Sequence, residues 1–135
     1  MKLSDIKPIP ALKAALVLAG TTETIYDGDK PTSGLPDDYI ELIQNGSFKT
    51  KSNQMGIIDG VILVSINIKL LSNGSVNKTK EDIVLGKFEA LFENNKFLVT
   101  EPYHFRLDGG NLVYGGRGIS EGYSTKVLNL LVKMY

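Results

Sequence analysis

The chain has 135 residues, 42% hydrophobic and 22% charged, which is one globular domain's worth and enough to bury a core. Its 15 basic and 15 acidic residues cancel, so no net charge recruits nucleic acid or a membrane surface. The absence of cysteine excludes disulfides, thiolate metal sites and thiol nucleophiles together.

Ile9 to Ala19 reads as a short helix, with Pro10 in its first turn and Leu12, Ala15, Leu16 and Ala19 on one side. Gly20 suits the position just past its end. The apolar run Ala14 to Ala19 is too short to span a bilayer and lacks the order of a secretory signal, which predicts a soluble, intracellular chain. Thr24 to Tyr26 is a short strand. The loop from Asp27 to about Asp37 is rich in Gly and Pro, and a loop of that length suggests function or mobility. Tyr39 to Ile43 alternates as a strand that is apolar on both sides.

Asn45 to Gly56 is polar, with Phe48 and Met55 as its only anchors, and reads as a β-ribbon or a protruding arm able to contact a partner. Val61 to Leu71 is the strongest element. Ile62, Val64, Ile66, Ile68 and Leu70 form an unbroken aliphatic side, while Ser65, Asn67 and Lys69 make the other side polar. Asn73-Gly74 turns the chain into an amphipathic helix from about Asn77 to Phe92. Thr79 and Asp82 suggest a capping box, and Glu81 and Asp82 suit the helix start. Val84, Phe88, Leu91 and Phe92 share its inner face, and Gly86 suggests close approach by another backbone. Lys96 to Thr100 begins a strand that Tyr103 to Leu107 continues or follows, bent at Pro102. Asp108-Gly109-Gly110-Asn111 reads as a hairpin turn. Tyr123 to Tyr135 closes the chain as a second long strand, with Leu128, Leu130, Val132 and Met134 on one face.

No catalytic or cofactor-binding motif emerges. His104 is the sole histidine, so it is the only candidate general base, and no nucleophile context accompanies it. One histidine without cysteine cannot assemble a zinc site. Asp27, Asp29, Asp37 and Asp38 form the densest acidic group, but Asp27-Gly28-Asp29 lacks the later ligands of a calcium loop. Gly115-Gly116-Arg117-Gly118 offers backbone N–H groups to an anion without matching a phosphate-binding motif. Arg117 suits pairing across an interface.

In order, the elements are a short helix, the strand Ile25-Tyr26-Asp27-Gly28, a Pro/Gly loop, and Asp38-Tyr39-Ile40-Glu41-Leu42. A ribbon, the long central strand, a helix, and closing strands with Phe97-Leu98-Val99-Thr100-Glu101-Pro102 follow. This series resembles the tail terminator (tail-completion) and head–tail neck proteins of long-tailed bacteriophages. The resemblance implies a small non-enzymatic α+β subunit that self-associates into a ring, commonly a hexamer. Such a ring caps the tail tube and meets neck proteins, with DNA only as passing cargo. It would be found in the host cytoplasm during assembly and then in the virion. The contacts would lie on loop tips and sheet edges, here Asp27, Asp29, Lys30, Asp37, Asp38, Phe48, Lys49, Lys51, Met55, Arg117 and Glu121.

The sequence therefore predicts a single α+β domain over residues 1–135. Its sheet is mixed and mainly antiparallel, with one helix across a face and the short N-terminal helix at the edge. No cofactor, metal or membrane partner is expected. The alternative function is a small soluble ligand- or protein-binding module that uses the 27–38 and 115–122 loops.

Overall fold

The computed structural model describes residues 7–50, 58–93, 97–113 and 122–134, with the side chains of 47–50, 58–59 and 108–113 outside that description. Among the described residues two helices and six strands follow one another as α1 (Pro8–Leu18), β1 (Thr24–Tyr26), β2 (Asp38–Thr50), β3 (Ile58–Lys69), α2 (Lys78–Leu91), β4 (Leu98–Thr100), β5 (Tyr103–Val113) and β6 (Tyr123–Met134). The strands make one sheet in the order β1-β2-β3-β6-β5-β4. Only β1 and β2 run parallel; every other neighbouring pair is antiparallel. The fold is α+β, as the sequence predicts.

Alternation in β3 and β6 decides where the core sits. Ile62, Val64, Ile66 and Ile68 are buried on one face. Register places Val64 opposite Leu128, Ile62 opposite Leu130 and Gly60 opposite Val132, so the aliphatic sides of both strands coincide. Ile40 and Leu42 extend this face on one flank, and Tyr103 and Phe105 extend it on the other. Leu12 and Leu16 of α1 and Val84, Phe88 and Phe92 around α2 cover it. Each such side chain contributes about 1.5–3 kcal/mol on burial.

The helix ends follow local chemistry. Gly20 adopts φ +96° after α1. Its N–H donates to the carbonyl of Val17 and that of Thr21 to Leu16, the paired bonds of a Schellman ending. At the start of α2 the capping residue is Asn77, whose side chain accepts from the Lys80 N–H at 3.3 Å. The expected Thr79–Asp82 capping box is therefore displaced: Thr79 already lies inside the helix. Gly86 also differs from expectation. Among the described residues a Cβ there would meet nothing within 4 Å, so none of their backbone approaches it.

One turn assignment is corrected and one open alternative is settled. Asp108 to Asn111 does not reverse the chain. Leu107 pairs with Leu130 and Leu112 with Leu128, so these residues form a bulge within β5, which keeps one direction along β6. The reversal occurs earlier, at Glu101–Pro102, where a cis peptide joins β4 to β5 as a hairpin. Tyr103 thus pairs back on Thr100 rather than prolonging β4. In the stretch expected as a ribbon or arm, strand pairing runs as far as Thr50 opposite Ile58, with a register shift between Asn45 and Lys49; residues 51–56 of it lie outside the described residues.

Candidate functional site

The helix-free face is covered at one end by the loop following β1. Tyr39, opposite Asn67 on β3, is buried to 1% exposure. Its ring meets Tyr26 and Tyr123 edge-on, with centroids 5.8 and 5.2 Å away. Lys30 stands 5.7 Å from the Tyr39 ring and 3.9 Å from Glu41. The Tyr123 hydroxyl donates to the Pro36 carbonyl at 2.7 Å. These contacts tie the loop to the sheet, although its composition alone suggested mobility. Burial pushes the Tyr123 phenol above its ordinary pKa.

A polar row lies on that same face. Ser65, Asn67 and Thr125 are buried. The Thr125 hydroxyl donates to Asn67 Oδ1 at 2.6 Å, and Asn67 Nδ2 donates to the Ser65 carbonyl and hydroxyl at 3.2 Å. The row is internally satisfied, as burial requires.

A second polar cluster sits under the first turn of α2. Glu81 is buried and its carboxylate lies 3.1 Å from Lys126 Nζ, while the Ser124 hydroxyl donates to its other oxygen at 3.0 Å. Lys80 pairs with Asp38. The hydrogen bond from Lys80 to Asp38, with the surrounding carboxylates, raises the Lys80 pKa against the opposing effect of burial. Glu81, expected only to complement the helix start, in fact joins α2 to β6. Lys87 reaches Glu23 at 3.3 Å further along the helix.

The sheet's two ends are β1 and β4, each three residues long. Beside β4 a cleft of about 300 Å³ runs along α1, lined by Ala14, Ala15, Leu18, Ala19 and β4 itself. The cleft is open: Leu18 is 91% exposed and Val99 45% exposed. Phe97, also 45% exposed, lies at the same sheet edge on the helix-free side, where Arg106 is 5.8 Å from its ring and His104 meets that ring edge-on at 6.0 Å. A smaller cleft of about 220 Å³ separates the end of α1 from α2, near Glu23, Lys87 and Leu91.

The residues expected at an interface do not form one patch. The backbone N–H of Asp27 donates to Asp29 Oδ1 at 3.1 Å, in the turn after β1. Lys30 lies over the helix-free face. Asp37 pairs with Lys69 at 3.4 Å. Asp38 faces the opposite side, beneath α2, with a side chain only 14% exposed; among the described residues its buried Oδ1 has no hydrogen-bond partner. Phe48 and Lys49 belong to β2, and their side chains lie outside the description. Lys51, Met55, Arg117 and Glu121 lie outside the described residues. The exposed trio of Leu18, Phe97 and Val99 was not singled out from sequence. Its one signal is the unbroken apolar run Phe97-Leu98-Val99, which reads as core until the strand proves to be an edge.

Among the described residues no three His, Cys, Asp or Glu side chains gather as a metal site, and no helix is long and apolar enough to cross a membrane. No protein-family model and no curated protein matches the sequence. One solved structure, whose name states no activity, is similar over 93% of this chain and 94% of its own, with a TM-score of 0.57 and 13% identity. That likeness is one of fold alone.

Proposed function

We propose that this chain is a structural subunit of a phage tail or head–tail neck assembly. It would act as a ring component of the tail-terminator kind, built in the host cytoplasm and carried in the virion. The observation that carries this reading is the open β4 end of the sheet, where Leu18, Phe97 and Val99 are left exposed. Exposed apolar sheet edges are liabilities in a free monomer and are covered in assemblies. The two ends of the sheet also differ in chemistry, as head-to-tail association between copies requires. The element order that resembles tail terminator and neck proteins supplies the identity of the assembly. The tail tube and neck proteins are then its partners, and DNA passes without being held.

The test is the mass in solution by light scattering, at two protein and two salt concentrations. Six copies of the 14.8 kDa chain would weigh about 89 kDa, and negative-stain images of that species would show a central hole. A strict monomer that also stays monomeric beside tail-tube and neck proteins would overturn the proposal.

A further inference from the structure

The backbone of β4 is laid out to take another strand. Its three residues pair back on β5 across the two-residue turn Glu101–Pro102, with Thr100 opposite Tyr103, Val99 opposite His104 and Leu98 opposite Phe105. The pair that closes such a turn exchanges backbone hydrogen bonds, and in an antiparallel ladder the next pair does not. Val99 therefore directs its N–H and carbonyl away from β5, toward the open end of the sheet. Its side chain is 45% exposed there, and Leu18 stands 91% exposed over the cleft on the helix-covered side.

We infer that β4 pairs antiparallel with β4 of a second copy, about a two-fold axis that passes beside Val99 perpendicular to the sheet. Such a rotation reverses the strand and keeps the helix-covered faces of both copies on one side, so core side continues into core side across the seam. Val99 then stands opposite the partner's Val99, and the two exchange both backbone hydrogen bonds. Leu98, which packs on the core, falls opposite the partner's Thr100. Phe97, on the helix-free side with His104 and Arg106, falls opposite the partner's Glu101. Charge selects this arrangement. The Arg106 guanidinium lies 5.8 Å from the Phe97 ring, and the two-fold brings the partner's Glu101 to the far side of that ring. Each copy supplies one carboxylate and one guanidinium, so the contact is made twice. Within one chain the two residues stand apart, since Glu101 begins the turn while Arg106 lies beyond Phe105, the residue opposite Leu98. This inference does not rest on the ring reading: it names how free copies cover the β4 edge, which a ring neighbour would have to take over.

The chain has no cysteine, so a single substitution reports the contact. Val99→Cys puts two thiols opposite one another across the axis, at a Cα separation that a disulfide spans. Under mild oxidation it gives a covalent pair of about 30 kDa, two copies of the 14.8 kDa chain, on a non-reducing gel. Ile83→Cys, at least as exposed but on α2, stays single. In parallel, Arg106→Glu and Glu101→Arg each weaken association at least tenfold by light scattering, since each alone sets like charges together. Mixing the two variant chains restores it, because every contact across the mixed pair again joins opposite charges. Circular dichroism confirms that each variant is folded.

Association without the Val99→Cys cross-link, or without rescue in the mixture, places the contact elsewhere and overturns this inference, leaving ring assembly intact. A cross-linked pair that never proceeds to a larger species beside tail-tube and neck proteins supports this contact and counts against the ring. A chain that stays at 14.8 kDa throughout, with and without those proteins, overturns both.

Discussion

Glu81 and Lys126 meet 3.1 Å apart beneath α2, with only 4% and 16% of their side chains exposed. Removing one member strands the other in a poorly solvated site. Glu81→Ala is expected to lower unfolding free energy by about 3 kcal/mol, read from the urea midpoint. Replacing both residues together, as Glu81→Leu with Lys126→Met, is expected to cost far less, because no charge is then left unpaired. Equal losses in the single and double variants would show that the pair contributes through packing alone.

The two helix-associated glycines predict opposite outcomes. Gly86 sits in α2 with open space where a Cβ would be, so Gly86→Ala is expected to stabilise by about 1 kcal/mol through helix propensity. Gly20 holds φ +96°, and Gly20→Ala is expected to destabilise by about 1 kcal/mol. Chemical denaturation of the two variants side by side checks both signs.

Alkaline pH is expected to weaken the fold. Both Lys80 and Tyr123 have folded pKa values above their ordinary ones. For each, the stabilising contribution is complete below the unfolded pKa, about 10, and is lost as pH rises through the higher folded value. The melting temperature should therefore be flat from neutrality to about pH 9.5 with respect to these groups and fall beyond it. Tyr123→Phe should remove part of that fall and, by deleting the bond to Pro36, cost about 1 kcal/mol at neutral pH. An unchanged alkaline slope in Tyr123→Phe would exclude the phenol as a contributor.

Phe88 is buried to 1% exposure at the centre of the α2 contact. Phe88→Ala is expected to cost about 3–5 kcal/mol. A loss below about 1 kcal/mol would mean that α2 is held mainly by its ion pairs rather than by its apolar stripe.

The aliphatic faces of β3 and of β6 and the cover of β3 by α2 were legible, because period-two and helical patterns are local; that β3 and β6 are neighbours was not. The helix-free face was not. Alternation reports that Ser65 and Asn67 share a polar side but not that this side is covered. Their burial depends on contacts distant in sequence, such as Thr125 against Asn67 and Tyr123 against Pro36. Asp108-Gly109-Gly110-Asn111 has turn chemistry, and a bulge demands the same residues as a turn. Only the pairing on β6 tells the two apart. At the candidate interface, Phe97 and Val99 read as core because sequence does not say which strand ends a sheet. Nor does sequence show that the carboxylate of Asp38, named among the interface residues, pairs with Lys80 under α2.

Hydrophobicity by itself leaves β3 and β6 free to align in more than one way. Sliding either strand by two positions would still bring aliphatic residues to the core, since each carries them at every second place. The Asn67–Thr125 bond removes that freedom, because a slipped alignment would set the buried amide of Asn67 against Tyr123 or Val127. Asn67→Val is thus expected to keep the fold's apolar content while admitting a second alignment, visible as doubled or broadened amide resonances along β6. A single buried amide then acts as the index mark of the sheet, telling two greasy strands where along each other to stop.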